Sequence, residues 1–349
     1  ANVGILSPSE HLNHARLLYA PNEWTNLNLN IRQILNLRNQ LINSRFQVNS
    51  MKENNNFLNK SREIGMASKP TDLEINLSKA PNYHKEDDKI TIPINLVAPL
   101  KNFRITENPK INTKVDKVVE DIDLKARDAL NYLYKNNFDE HFLTQLLSIG
   151  VLGLKNNRKL VPTRFSITAT DDIIGKEIIN EIKYYNQIEE CRLFFDSYLG
   201  NYYFILLLPN LFSYELFEYG MRYGKIMEEM TDFEDYYGRK NYASNSVGGY
   251  YAVRLAVLEY LKRIRKQASV FIIRIETEQY WANLGVWVCR SCTRRAMNNE
   301  HISFYSRENA LDFMKNLIFN KLKQDVSNTI NKSKLLRYIK EQKSLRDFI

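Results

Sequence analysis

Cysteine is scarce in this chain, with three residues in 349, Cys191, Cys289 and Cys292. An odd count so widely spread excludes a disulfide framework and fits a reducing compartment. Cys289 and Cys292 form a lone CxxC, two ligands short of a structural zinc site, so the cysteines are expected to pack and no zinc finger is expected. Histidine is rare too. His11, His14, His84, His141 and His301 show no HExxH or similar ligand spacing. No apolar run approaches a bilayer span, because the longest, Tyr202 to Leu208, is cut by Pro209. The opening ANVGILSPSEH has neither the basic nor the apolar region of a signal peptide, so no membrane partner and a cytoplasmic location are expected. GxGxxG and Walker sequences are missing, as is a nucleophile elbow around Ser166 or Ser269, which leaves a nucleotide fold and acyl transfer without support. No internal repeat is visible.

What is present is enough apolar material for a core, at 44% hydrophobic and 12% aromatic, and a formal net charge of +9. The charge is clustered. Arg254, Lys262, Arg263, Arg265, Lys266 and Arg274 face the single Glu259 in one stretch, and six basic residues face Glu341 and Asp347 between Lys332 and Ile349. The opposite sign gathers in EEMTDFED, with Glu228, Glu229, Asp232, Glu234 and Asp235. That asymmetry points to one surface for an anionic partner and another kept away from it.

Periodicity places a helix over IRQILNLRNQL, a short helix ending near Pro70, strands at ITIPINL and FRIT, and two helices between Lys114 and Gly150, with Asp139 as cap. VPTRFSITAT reads as a strand that runs into a helix at DDIIGKEIINEIKYY. CRLFFDSYL and NYYFILLLP read as a hairpin turning at Gly200 and Asn201. An acidic loop precedes the long helix GGYYAVRLAVLEYLKRIRKQ; ASVFIIRIET and LGVWVCR then read as buried strands, and further helices run into the basic tail. The expected class is α+β or α/β, a mixed and largely antiparallel sheet packed with helices, with a flexible C-terminal tail. The expected divisions are a helical and strand region over 1–110, a main core over 111–331 and the tail over 332–349.

The tail reads QKSLRDFI. Leu345 and Phe348 are three apart, so one tight turn stacks them on an edge with Ile349 beside them, a two-pronged apolar plug for a pocket on another molecule, while Gln342 hydrogen-bonds at the start of the turn. This QxxLxxFI pattern resembles the peptide by which replication and repair proteins dock on the sliding clamp PCNA. The alternative is a tail folded back on its own core, for which KLLRYIK is a candidate.

Longer stretches carry a wider resemblance. RKLVPTRFSITATDDIIGK, GGYYAVRLAVLEYLKRIRKQASV and LGVWVCRSCTRRAM, together with SRFQVNS, FRITENPKI and the tail, resemble the archaeal Nre family of DNA repair proteins over most of the chain from about Ser7. The resemblance implies a clamp-associated factor in the response to DNA damage. One branch of that family begins with a four-cysteine zinc finger, which has no counterpart before Ser7, so the likeness is to the branch without it or to a shortened form.

Within this frame Arg164, Asp171 and Asp172 are the candidates for chemistry. An Arg in a strand and two carboxylates at the following strand-to-helix junction could assemble a divalent-metal site, for Mg or Mn, with a phosphate clamp. A helix N-cap at Thr170 or Asp171 accounts for the same residues. In the Gly248 to Gln267 helix, Val253, Val257, Leu261 and Ile264 share one face while Arg254, Lys262, Arg265 and Lys266 lie on a neighbouring arc, expected to contact DNA. Gly248 and Gly249 before the helix offer backbone amides to a phosphate. Arg290 and Arg294, four apart, suit phosphate contacts or salt bridges. Tyr250 and Tyr251 offer rings to unpaired bases, or pack. The expected function is a PCNA-recruited DNA-repair factor, either a metal-dependent, nuclease-type enzyme or a non-catalytic clamp- and DNA-binding adaptor.

Overall fold

The computed structural model describes residues 2–48, 56–83, 89–93 and 96–341. In chain order the strands are β1 (Asn2–Pro8), β2 (Leu41–Gln47), β3 (Leu73–Leu77), β4 (Asn82–Tyr83), β5 (Leu96–Ile105), β6 (Cys191–Tyr198), β7 (Asn201–Leu208), β8 (Ser213–Arg222), β9 (Lys225–Glu234), β10 (Ser269–Glu276) and β11 (Ile302–Phe304). The helices are α1 (Pro21–Asn26), α2 (Ile31–Arg38), α3 (Asn56–Met66), α4 (Thr113–Glu120), α5 (Ala126–Lys135), α6 (Glu140–Ser148), α7 (Thr163–Ile182), α8 (Val247–Arg263), α9 (Trp287–Asn298), α10 (Arg307–Leu322), α11 (Ser327–Lys332) and α12 (Lys334–Glu341). Contacts divide the chain into two units. The first holds Ala1–Ile174 and Asn283–Gly285, and the second holds Gly175–Ala282 and the chain from Val286 onward, so the division falls inside α7. The boundary expected near 110 lies between β5 and α4, within the first unit.

In the first unit, β2 and β5 pair in parallel at the centre, and β1, β3 and β4 pair antiparallel around them. Alternation sends Ile5, Phe46 and Phe103 to one face, where Leu58 of α3 covers them. Local chemistry sets the helix starts. Asn30 and Gln33 exchange side-chain and backbone hydrogen bonds as a capping box on α2, and the Asp139 carboxylate accepts from the His141 and Phe142 amides at α6. Arg158 ties the segment after α6 to the end of α4, donating to the carbonyls of Gly153, Val119 and Asp121 at 2.7, 2.6 and 2.8 Å.

The second unit is built on a six-stranded sheet in the order β11-β6-β7-β10-β8-β9, antiparallel throughout except for the β10–β8 pair. β7 and β10 are apolar on both faces, which requires cover on both sides. One face, with Phe204, Leu206, Phe217, Phe271 and Ile273, packs against Ala310, Met314 and Ile318 of α10 and Leu335 of α12. On the other, Phe194 meets Tyr260 and Tyr214 meets Tyr250, with ring centroids 5.2 and 4.8 Å apart, which lays α8 on the sheet. The β6–β7 hairpin turns on Leu199 and Gly200, both at positive φ, one residue earlier than the expected Gly200–Asn201.

Five expectations give way. VPTRFSITAT alternates like a strand but is the first half of α7. Its buried residues Ser166, Thr170, Ile174, Ile178 and Ile182 recur every four positions, and Pro162 sits where a missing N–H costs nothing while its carbonyl accepts from Phe165 and Ser166. WVCR opens α9, because a short apolar run does not distinguish a strand from a buried helix. The acidic EEMTDFED lies in β9 up to Glu234, hairpinned to β8 through Tyr223 and Gly224, and only its last residue, Asp235, enters a loop. Three helices, α4 to α6, replace the expected two. ITIPINL supplies only the start of β5, and FRI lies in the same strand.

The tail expected from 332 is anchored over its first half. The buried Glu215 carboxylate of β8 accepts from the Ser333 hydroxyl and from the backbone amides of Lys334 and Leu335 at 3.0 and 3.1 Å, holding the first turn of α12 on the sheet. KLLRYIK therefore folds back on the core, while Gln342, Leu345, Phe348 and Ile349 lie outside the described residues. Burial raises the Glu215 pKa above 4.5, against the opposing pull of its hydrogen bonds. The folded state then holds this proton more firmly than the unfolded chain, so the contribution to stability is present below 4.5 and lost as pH rises through the raised value. A Glu215→Gln protein should show a shallower loss of melting temperature over that window than the parent; identical pH profiles would contradict the assignment.

Candidate nucleic-acid interface

The three residues singled out for chemistry sit on one helix. Arg164 is exposed in the first turn of α7, its guanidinium 5.6 Å from the Phe165 ring centroid, whereas Asp171 and Asp172 are buried in the middle of the helix. Seven residues of helix separate Arg164 from Asp171, about 10 Å along the axis, so the expected clustering at a strand-to-helix junction is replaced by a two-turn separation. Among the described residues no group of three or more His, Cys, Asp or Glu side chains is placed to hold a metal ion.

Helix α8 is buried around most of its circumference from Tyr250 to Leu258, not along one face. This removes Arg254 from the expected cationic arc. Its Nη1 donates to both oxygens of the Glu234 carboxylate of β9, at 2.9 and 3.2 Å, with both side chains almost wholly buried. Tyr250 and Tyr251 are buried and flank Arg254 with their rings, so they pack and do not offer faces to bases.

The anion expected at the glycines is supplied internally. Gly248 and Gly249 lie within the first turn of α8, and a Cβ at Gly249 would come 2.8 Å from Glu218 Oε1, which is why glycine stands there. Just before the helix, the Asn245 and Ser246 amides donate to Asp232 at 3.0 and 2.8 Å, and Arg239 pairs with the same carboxylate at 3.1 Å. The amide cluster thus holds an anion, and that anion belongs to β9.

The remaining basic residues fall into two groups. Arg290 is buried in α9, while Arg294 makes a two-point bond to Glu259 of α8 at 2.8 Å each, so the i, i+4 pair does not share an open surface. Lys262, Arg263, Arg265 and Lys266 gather where α8 ends. Lys262 pairs with Glu181 at 2.6 Å and Lys266 with the exposed Glu189 at 3.4 Å; Arg263 reaches Asn298, and Arg265 is exposed at positive φ just past the helix. Positive charge there also complements the helix dipole. Arg263 was not among the expected contacts, although its place beside Lys262 could have flagged it.

The cysteines pack as expected. All three are buried free thiols, burial raises the pKa of each, and Cys292 donates to the Tyr198 carbonyl at 3.5 Å. No helix among the described residues is long and apolar enough to cross a membrane.

Arg254 and Lys262 should respond oppositely to mutation. Arg254→Met leaves the Glu234 charge buried without its partner and should lower the unfolding free energy by about 3–5 kcal/mol, whereas Lys262→Met, at a half-exposed pair, should change it by less than about 1 kcal/mol. Urea denaturation reads both; equal effects would refute the distinction.

Archaeal Nre, N-terminal, matches residues 2–224, and Archaeal Nre, C-terminal, matches residues 234–348. The chain is 37% identical over 310 residues to DNA repair protein NreA of Archaeoglobus fulgidus, covering 87% of this chain and 78% of that protein. It is 32% identical over 312 residues to DNA repair protein NreA of Haloferax volcanii, covering 86% and 74% respectively. DNA repair protein NreB of Archaeoglobus fulgidus is 37% identical over 260 residues, 72% of this chain and 65% of its own length. No solved structure matches. With both halves of the chain matched in order, and the resemblance carried by the segments that form α7, α8 and α9, this protein belongs to the archaeal Nre family.

Proposed function

We propose that this chain is a DNA-repair factor brought to its site of action by the sliding clamp PCNA, and that it touches DNA phosphates through Lys262, Arg263, Arg265 and Lys266 at the end of α8. The repair role follows the names of the relatives, which are DNA repair proteins. The observation that carries clamp docking is the QxxLxxFI spacing of Gln342, Leu345, Phe348 and Ile349, set directly after an anchored helix and lying, through Phe348, within the family match. Because Glu215 pins the start of α12, a clamp gripping the peptide would hold the second unit close by, raising its local concentration on nearby DNA without any further contact.

Clamp docking and DNA contact are tested separately. Phe348→Ala, or deletion of 342–349, should abolish PCNA binding in calorimetry while leaving the melting temperature unchanged; retained binding refutes the docking reading. Reversing Lys262, Arg265 and Lys266 to Glu should weaken duplex binding and reduce the slope of log affinity against log salt by about 0.9 for each phosphate that is no longer neutralised. An unaltered slope would remove this edge as the DNA contact.

A second reading, a metal-dependent nuclease, rests on the adjacent carboxylates Asp171 and Asp172, with magnesium or manganese as the ion and Arg164 as a phosphate contact two turns away. It requires that the purified protein cleave a branched, nicked or lesion-bearing substrate with either ion, and that Asp172→Asn abolish the cleavage. Inertness on all of them leaves the adaptor.

A further inference from the structure

The loop 235–246, between β9 and α8, gathers tyrosine rings and cations at the surface. Asp235 starts a tight turn: its carboxylate accepts from the Tyr237 amide at 2.9 Å, its carbonyl accepts from the Gly238 amide at 3.0 Å, and Gly238 takes φ +80°. That geometry puts Tyr236 and Tyr237 at the tip. Tyr237 is 86% exposed, with its ring 5.7 Å from that of Tyr236, and Lys183 Nζ stands 4.5 Å from the Tyr236 centroid. Further along the loop, Tyr242 is 58% exposed, edge-on to the buried Tyr251, with Lys176 Nζ 5.9 Å from its centroid. Large exposed aromatics cost solvation, and two on one short loop, Tyr237 and Tyr242, flanked by lysines call for a binding explanation.

The platform is braced from within. Arg239, itself paired with Asp232, donates to the carbonyls of Phe233, Asn241 and Tyr242 at 2.9, 3.2 and 3.3 Å, and the Ala243 amide donates to the Tyr251 hydroxyl at 2.8 Å. A loop held at both ends loses little freedom when it binds. Lys176, Lys183 and Lys240 accompany Asp235 of the loop and Glu177 and Glu181 of α7, of which Glu181 is paired with Lys262. Beside the loop a cavity of about 210 Å³ is bordered by Thr231, Phe233, Ser244, Asn245 and Lys334, with Asp232 and its partner Arg239 also on the wall. Ring faces at the tip, lysines alongside and polar donors behind them match a ligand that alternates flat bases with phosphates.

We infer that the 235–246 loop, with Lys176 and Lys183 of the α7 end, is a stacking platform for unpaired nucleotides of single-stranded DNA. Duplex DNA hides its base faces, so it can offer this surface only phosphates, whereas an unpaired strand stacks on tyrosine regardless of sequence. This inference rests on the DNA-repair reading but uses residues other than the phosphate edge at the end of α8, so the two fail separately.

The test uses the full chain and fluorescein-labelled oligothymidine, with a duplex of the same length alongside, followed by anisotropy. Tyr237→Ala combined with Tyr242→Ala should weaken single-strand binding by at least about fivefold per ring and leave duplex binding and melting temperature unchanged. Tyr237→Phe should retain binding, because the ring face is kept. Lys183→Ala with Lys240→Ala should flatten the salt dependence for the single strand, whereas the tyrosine variants should not. If the tyrosine variants bind the single strand as the parent does, or lose duplex binding equally, the platform is refuted while the α8 edge stands. Loss of duplex binding only in the Lys262, Arg265 and Lys266 variant supports both surfaces. A parent that binds neither DNA overturns both.

Discussion

Charges buried between the second sheet and α8 set the geometry of everything around them. Arg254 is locked to Glu234, and Arg274 of β10 reaches Glu218 at 2.5 Å and Asn201 at 3.0 and 2.6 Å. Such pairs are costly to desolvate and are retained only where geometry and extra hydrogen bonds compensate, so they tolerate little displacement. Arg254 fixes α8 against β9, and Glu218 requires a glycine at 249 to admit its carboxylate. The start of α8, the loop before it and the cationic end after it all inherit their positions from these contacts.

The same pairing governs the charge clusters. Of the acidic stretch, Glu234 neutralises Arg254, Asp232 caps its own loop and pairs with Arg239, and Glu229 pairs with Lys332. Of the basic stretch, Arg254 and Arg274 are interior, and Lys262 and Lys266 are partly engaged with Glu181 and Glu189. The stretches of opposite sign meet directly at Arg254–Glu234 and Lys332–Glu229, while Asp232, Lys262, Lys266 and Arg274 take partners from other parts of the fold. Of the clustered basic residues, those at the end of α8 stay at the surface, in the second unit.

In the proposed function, recruitment and recognition are separable properties of one unit. A carboxylate in the sheet pins α12, and the clamp-type peptide follows within one residue of the helix end, so whatever grips the peptide also sets the position of the sheet to which α12 is bound. Phosphate contact at the end of α8 is general to any nucleic acid, whereas exposed tyrosines discriminate by whether a base face is available. In the proposed function, one contact delivers the factor and another informs it.

The amino-acid order by itself determined what depends on neighbours along the chain. The Asp139 cap, the capping box of Asn30 and Gln33, the apolar run of β10, the family likeness and the tail spacing are all local patterns, and the caps and the strand form where those patterns put them. Tertiary structure decided the rest. Val161, Thr163, Phe165, Ile167 and Ala169 alternate as a strand would, but the residues buried every four positions make α7 a helix, and that spread Arg164 and Asp171 two turns apart. Arg254 and Glu234 are 20 residues apart, and Arg274 and Glu218 are 56. Helical periodicity can place a basic residue on a face, but only folding brings in the carboxylate that takes it out of solvent, because the partner comes from another element whose register the sequence does not display.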